Sequence, residues 1–170
     1  MTALRDAQPT DRAGIEAVTL AAYEQYAATL GAALWGVYRQ NIVATLAAAK
    51  PGEQIVAEDG GAIVGGVLLY AAGSVMGEPG TGKAVTLAWP EVRLLAVSPA
   101  SRGGGVGRRL MDECIRRARE SGAEALTLHT TDMMSTAMAL YERMGFARAP
   151  ELDLRSAPGI LAKGYRLALT

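Results

Sequence analysis

Apolar and polar residues alternate along this chain in two rhythms. Ile15, Val18, Ala22 and Tyr26 share one helical face, which predicts a helix opening at Pro9-Thr10-Asp11. A Thr or Asp there can accept a bond from a free first-turn amide. A second helical stripe, over about 32–46, carries Leu34, Val37, Tyr38, Asn41, Ile42 and Leu46, and Lys50-Pro51-Gly52 stops it. The strongest stripe lies between Gly105 and Ser121: Val106, Leu110, Met111, Cys114, Ile115 and Ala118, closed by Gly122. On its polar side Asp112 with Arg116, and Glu113 with Arg117, are spaced to pair across one turn. Ser135 to Met144 is a further helix, ended by Gly145.

The remaining apolar runs are short and read as strands. Thr2 to Arg5 is a first strand, and Gln54 to Glu58 and Ala62 to Tyr70 flank Asp59-Gly60-Gly61, a tight-hairpin signal. Gly73 to Lys83 is a Gly- and Pro-rich exposed loop. Glu91 to Val97 runs into Ser98-Pro99, Ala125 to Thr130 follows the long helix, and Tyr165 to Leu169 closes the chain. Strands interleaved with helices indicate a layered α/β (α+β) sheet in a single domain over residues 1–170, with no repeat and no long linker.

Charge excludes more than it suggests. Lys plus Arg and Asp plus Glu are 17 each, so nothing draws the whole chain to nucleic acid or anionic membranes. The uncharged stretch from Gly61 to Gly77 falls short of the roughly 20 apolar residues of a span and is studded with Gly. The single Cys114 allows no internal disulfide and no cysteine-only metal site, and is compatible with a reducing cytoplasm. No basic segment leads into an apolar run at Met1, so no secretory signal is expected. The expected protein is cytoplasmic, holds no metal, and engages neither membrane nor nucleic acid.

One segment carries recognisable chemistry. Leu95-Ala96-Val97 leads through Arg102-Gly103-Gly104-Gly105-Val106-Gly107-Arg108-Arg109 into the long amphipathic helix. A helix start leaves about four amides unbonded along a favourable dipole, and glycines let an anion reach them. Arg102, Arg108 and Arg109 add positive charge, so this strand–turn–helix is a candidate diphosphate site. A second Gly-rich segment, Gly77 to Lys83, has the Gly-x-x-x-x-Gly-Lys spacing of a nucleotide loop. Ala84 stands where Ser or Thr would hold magnesium, and Pro90 forbids the following helix. It is expected to be a loop between strands.

Arg102-x-x-Gly105-x-Gly107 resembles the acetyl-CoA signature of the GNAT family of N-acetyltransferases. Ala137 to Phe146 resembles that family's late helix with its Tyr-x-x-x-Gly-Phe ending. The resemblance covers essentially the whole chain. It implies a central mixed, mostly antiparallel twisted sheet flanked by about four helices. It also implies acetyl-CoA as cosubstrate and a small-molecule or peptide amine as acceptor. It makes Tyr141 the acid that protonates the departing thiolate, and Glu91 matches the general-base position of some members. His129, the lone histidine, and water remain alternatives to Glu91. The donor to the thioester oxygen is implied to be main chain near Leu95, Ala96 and Val97, freed by a bulge. Leu95, Ala96, Val97, Arg102, Gly103, Gly104, Gly105, Val106, Gly107 and Arg108 thus form the expected cofactor site.

One departure stands out: many members carry Asn seven residues before this Tyr, where this chain has Met134, leaving the contact to backbone, Thr131 or Ser135. Cys114 lies on an apolar stripe, which favours direct transfer in a ternary complex over an acyl-cysteine. The family builds its acceptor site from the first two helices, here with Tyr23, Tyr26, Trp35 and Tyr38, which equally suit a core. A non-catalytic acyl-CoA sensor or an interaction module of the same fold remains open, as does a homodimer.

Overall fold

The computed structural model describes residues 1–77, 82–157 and 159–170. In chain order they form β1 (Ala3–Asp6), α1 (Arg12–Tyr23), α2 (Ala27–Ala48), β2 (Gln54–Asp59) and β3 (Ala62–Tyr70). Next come β4 (Val75–Gly77), β5 (Ala84–Thr86), β6 (Glu91–Val97), α3 (Val106–Glu120) and β7 (Ala125–Thr130). The chain ends with α4 (Ser135–Arg143), β8 (Ala147–Arg148), β9 (Leu154–Ala157) and β10 (Ile160–Ala168). Two compact units result, one of residues 1–69 and 94–113, the other of 70–93 and 114–170.

In the first unit β1 pairs antiparallel with β2 and β2 with β3, and β6 follows β3 in the sheet order. Asp59 pairs with Ala62, so Gly60 and Gly61 alone turn the hairpin, with φ of 58° and 82°. Only residues without a Cβ adopt both angles freely, which is why the two glycines stand there. The start of α1 differs from expectation. Asp11 caps no helical amide; its carboxylate accepts from the Gln8 amide at 2.7 Å and from both terminal nitrogens of Arg5, at 2.6 and 3.0 Å. The carboxylate thus closes a capping box on Gln8 while pairing with a cation brought by β1, and the two hold the Asp11 carboxyl at about 2, well below the ordinary range.

The second helix is less buried than its stripe suggested. Gly31, at φ 76° and ψ 160°, breaks α2 just before the expected start, and Ile42 is its one fully buried residue, with Val37 56% exposed. Tyr23, Tyr26, Trp35 and Tyr38 form a row of rings with successive centroids 5.9 to 6.4 Å apart. Tyr23 is buried and the others are half-buried, and burial pushes the Tyr38 hydroxyl up to about 12.

In the second unit β6 pairs parallel with β7, and β10 pairs antiparallel with β7, β8 and β9. With the pairings above, the sheet is mixed and mostly antiparallel, as expected. The last strand begins at Ile160, five residues before the apolar run from Tyr165, because β9 offers its first residues a partner. The expected loop over 73–83 contains β4, which pairs with β5 as a small separate sheet. Glu78, Pro79, Gly80 and Thr81 of the nucleotide-loop lookalike lie outside the described residues. Lys83 is followed by the strand β5, which presents no array of helix amides.

The stripe of α3 is as predicted: Leu110, Met111 and Cys114 are fully buried and Val106, Ile115 and Ala118 nearly so. Its surface pairs include Arg108 with Asp112 at 3.7 Å and Arg116 with Glu120.

A close approach fixes the far end of the second unit. A Cβ on Gly164 would lie 2.4 Å from Leu152 Cβ and 2.8 Å from the Ala149 carbonyl oxygen. Gly164→Ala is therefore expected to destabilise the protein by at least about 1–3 kcal/mol, read from the urea midpoint. An unchanged midpoint would show that this segment yields freely.

Candidate active site

Within the first unit, β6 does not run straight into its turn. Leu94 has φ 51°, and among the described residues it alone combines a side chain with positive φ. A bulky residue in that region marks local backbone strain. Leu95, Ala96 and Val97 follow directly, with Ala96 buried. Nothing in the sequence announces Leu94: leucine is an ordinary strand residue.

After Val97 the chain makes a single 3-10 turn at Pro99–Ser101, and Gly103 and Gly105 take φ of 80° and 76°. Around Gly103 and Gly105 an added Cβ would meet nothing within 4 Å, so their exposed faces are open to a ligand. The first helical bond recorded for α3 is from the Arg109 amide to Gly105 oxygen, at 3.0 Å. The amides of Val106, Gly107 and Arg108 precede it and find no carbonyl within the helix. This matches the needs of a diphosphate: open glycines, convergent N–H groups and the positive end of a 15-residue helix.

The arginines are less available than expected. Arg102 donates to the Ala22 carbonyl at 3.1 Å, closing the C-terminal end of α1, and Arg108 faces Asp112. What the turn offers an anion is backbone more than guanidinium.

The second unit holds the candidate acid and base. Tyr141 is 6% exposed, on the last turn of α4. The Phe146 amide donates to the Tyr141 carbonyl at 3.0 Å, Gly145 takes φ 93°, and the Phe146 ring lies edge-on to the Tyr141 ring at 6.0 Å. This is the glycine-closed helix end in which the residue after Gly folds back on the last turn. The Tyr-x-x-x-Gly-Phe pattern is thus a device that fixes the Tyr141 ring.

Glu91 is 3% exposed at the start of β6. Its Oε1 accepts from Arg93 Nε at 2.6 Å and stands 3.7 Å from His129 Nδ1. On its far side His129 Nε2 is 2.7 Å from the Leu152 carbonyl oxygen. Burial pushes the Glu91 carboxyl up, but His129 and Arg93 outweigh it and hold it below the ordinary range. Burial likewise opposes charge on His129, and Glu91 with the Leu152 carbonyl overcomes it, raising the imidazole. Glu91 and His129, weighed separately from sequence, are one unit. Arg93 was missed, although two residues apart on a strand is the same face.

Met134 is buried at the head of α4, so it presents no amide group in place of Asn. Beside it the hydroxyls of Thr130 and Thr131 are buried without a hydrogen-bond partner. Among the described residues no cluster of metal-ligating side chains occurs, and no helix is long and apolar enough to cross a membrane.

Residues 16–146 match the family described as Acetyltransferase (GNAT) family. The chain belongs to that family. Relatives agree with this GNAT assignment. A stretch of 57 residues is 44% identical to an IAA acetyltransferase of Azospirillum brasilense, covering 34% of this chain and 37% of that protein. The matched stretch thus spans little more than a third of that relative's length. Solved GNAT structures match at full length. A GNAT acetyltransferase of Brucella melitensis in complex with acetyl-CoA has a TM-score of 0.62 at 23% identity, over 100% of this chain and 89% of that one. An N-acetyltransferase of Staphylococcus aureus has a TM-score of 0.66 at 16% identity, over 100% and 99%. At these identities the likeness is one of fold.

Proposed function

We propose that this GNAT chain, acting as one domain, is an N-acetyltransferase that moves an acetyl group from acetyl-CoA to an amine by direct attack in a ternary complex. The observation that carries this reading is the open Gly-rich turn that follows the positive φ of Leu94 and leads into the unbonded amides of α3. Acetyl-CoA supplies a thioester, whose carbon an amine lone pair can attack. The amides of 103–108 hold the diphosphate, and main chain at Leu95 to Val97 donates to the thioester oxygen as it gains charge.

An ammonium has no lone pair, so a base must first remove a proton; Glu91, ionised by its neighbours, takes it directly or through water. Tyr141, fixed by its helix end, returns a proton to the leaving thiolate. Cys114 is fully buried within α3, which supports transfer without an acyl-enzyme. The lone reduced thiol suits a cytoplasmic setting.

The test is coenzyme thiol release across a panel of small amines and peptide N-termini. Amine-dependent release with stoichiometric acylated product is expected. Acetyl-CoA binding by calorimetry with no release for any amine would leave a sensor in its place.

A further inference from the structure

His129 is the lone histidine of the chain, and the mechanism above leaves it without a part. Each of its nitrogens has its own neighbour. Nε2 lies 2.7 Å from the Leu152 carbonyl oxygen, and a carbonyl oxygen only accepts, so Nε2 carries hydrogen in both protonation states. The tautomer is therefore fixed. In the neutral ring Nδ1 then directs a lone pair at Glu91 Oε1, 3.7 Å away. Two acceptors face each other across that gap, and one proton between them removes the conflict.

The carbonyl that fixes the tautomer is itself held. Arg148 donates to both Asp153 carboxylate oxygens at 2.8 and 2.9 Å and to the Gly164 carbonyl at 2.7 Å. The Gly164 amide donates back to Asp153 at 2.8 Å. The segment carrying Leu152 is thus latched to β10, so the imidazole cannot follow a drifting acceptor.

We propose that Glu91 and His129 take up the acceptor's proton as a pair, His129 acting through Glu91 as a positioning residue. This rests on Glu91 being the base of the proposed function. The ammonium N–H breaks, its electron pair stays on nitrogen for attack, and the proton joins the Glu91 carboxylate directly or through water. It then passes to Nδ1, giving an imidazolium that later releases it to solvent; no electrons change hands. A buried carboxylate flanked by Arg93 is a weak base alone, and the imidazole opposite gives the proton a more basic resting place. The opposite titration shifts of the two groups agree with a shared proton. The charged groups facing His129 are Glu91 and Arg93 from β6 and Asp153 after Leu152, while Lys163 on β10 is occupied by Asp132.

The pair accepts a proton only when unprotonated, so activity falls as pH drops through the raised imidazole midpoint. In His129→Gln, Glu91 titrates alone with Arg93. The acid limb of the kcat profile should move down by more than about one pH unit and turnover should drop about 10- to 100-fold, with KM for acetyl-CoA unchanged.

Imidazole NMR of the wild type tests the pair without any assay. The single ring should keep hydrogen on Nε2 at every pH and titrate above about 6.5, the ordinary imidazole value. In Glu91→Gln the midpoint should fall, because burial and Arg93 are then opposed by the Leu152 carbonyl alone. A midpoint indifferent to Glu91→Gln overturns the pairing, and unchanged kcat and acid limb in folded His129→Gln or His129→Asn overturn the proton role. A wild type that shows the predicted titration but no amine-dependent thiol release fails the acetyltransferase reading, and the proton role with it.

Discussion

Tyr141→Phe should leave acetyl-CoA affinity within about twofold and lower turnover by about two to four orders of magnitude, the usual range for losing a general acid. The substitution removes one oxygen and keeps the ring. The ring's edge contact with Phe146 and the helix end closed by Gly145 should persist, so the change isolates the hydroxyl. KM for the amine should change little, because the hydroxyl matters only as the thiolate departs. Stopped-flow acetylation and calorimetry with acetyl-CoA separate these quantities. Wild-type turnover in the variant, once the chemical step is shown to limit the rate, would reduce Tyr141 to the packing partner of Phe146.

Substituting Leu for Gly105 and Gly107 together should weaken acetyl-CoA binding by more than about 100-fold, about 2.7 kcal/mol or more. Two effects combine. At Gly105, φ of 76° forces a side chain into left-handed backbone, costing roughly 1–2 kcal/mol and turning the last residue before the helix. At Gly107, inside the first turn of α3, the backbone is helical and asks for no positive φ. The new side chain there obstructs the approach to the unbonded amides. Gly107→Leu alone, with its fold checked by circular dichroism, therefore isolates the second effect. Calorimetry showing unchanged affinity in a folded Gly107→Leu protein would remove the diphosphate from this turn.

The helix end at Gly145 shows how far local rules reach. Glycine after an amphipathic run, then Phe, is readable as a stop, and the structure adds only that Phe146 folds back on Tyr141. The α3 stripe was equally readable, since six apolar positions at helical spacing all proved buried. Such signals succeed because the groups that satisfy one another lie within about one helical turn. The stripe of α2 shows where the rule fails: periodicity predicts which face would be buried, yet Val37 on that stripe is more than half exposed.

The sequence alone thus determined the family, the alternation of helices and strands, the Gly60-Gly61 hairpin and the Gly-rich turn ahead of α3. Each rests on backbone angles or apolar spacing that a few neighbouring residues impose. Tertiary structure decided the rest, because the deciding partner comes from elsewhere in the chain. Arg5 paired with Asp11, β9 lengthened β10 at its start, and Leu94 took positive φ, for which a leucine has no local reason. Most consequential, Leu152, 23 residues beyond His129, presents a main-chain oxygen that no side-chain pattern encodes. That oxygen chooses the imidazole tautomer, and the tautomer turns a lone histidine and a strand-end glutamate into one proton-binding unit.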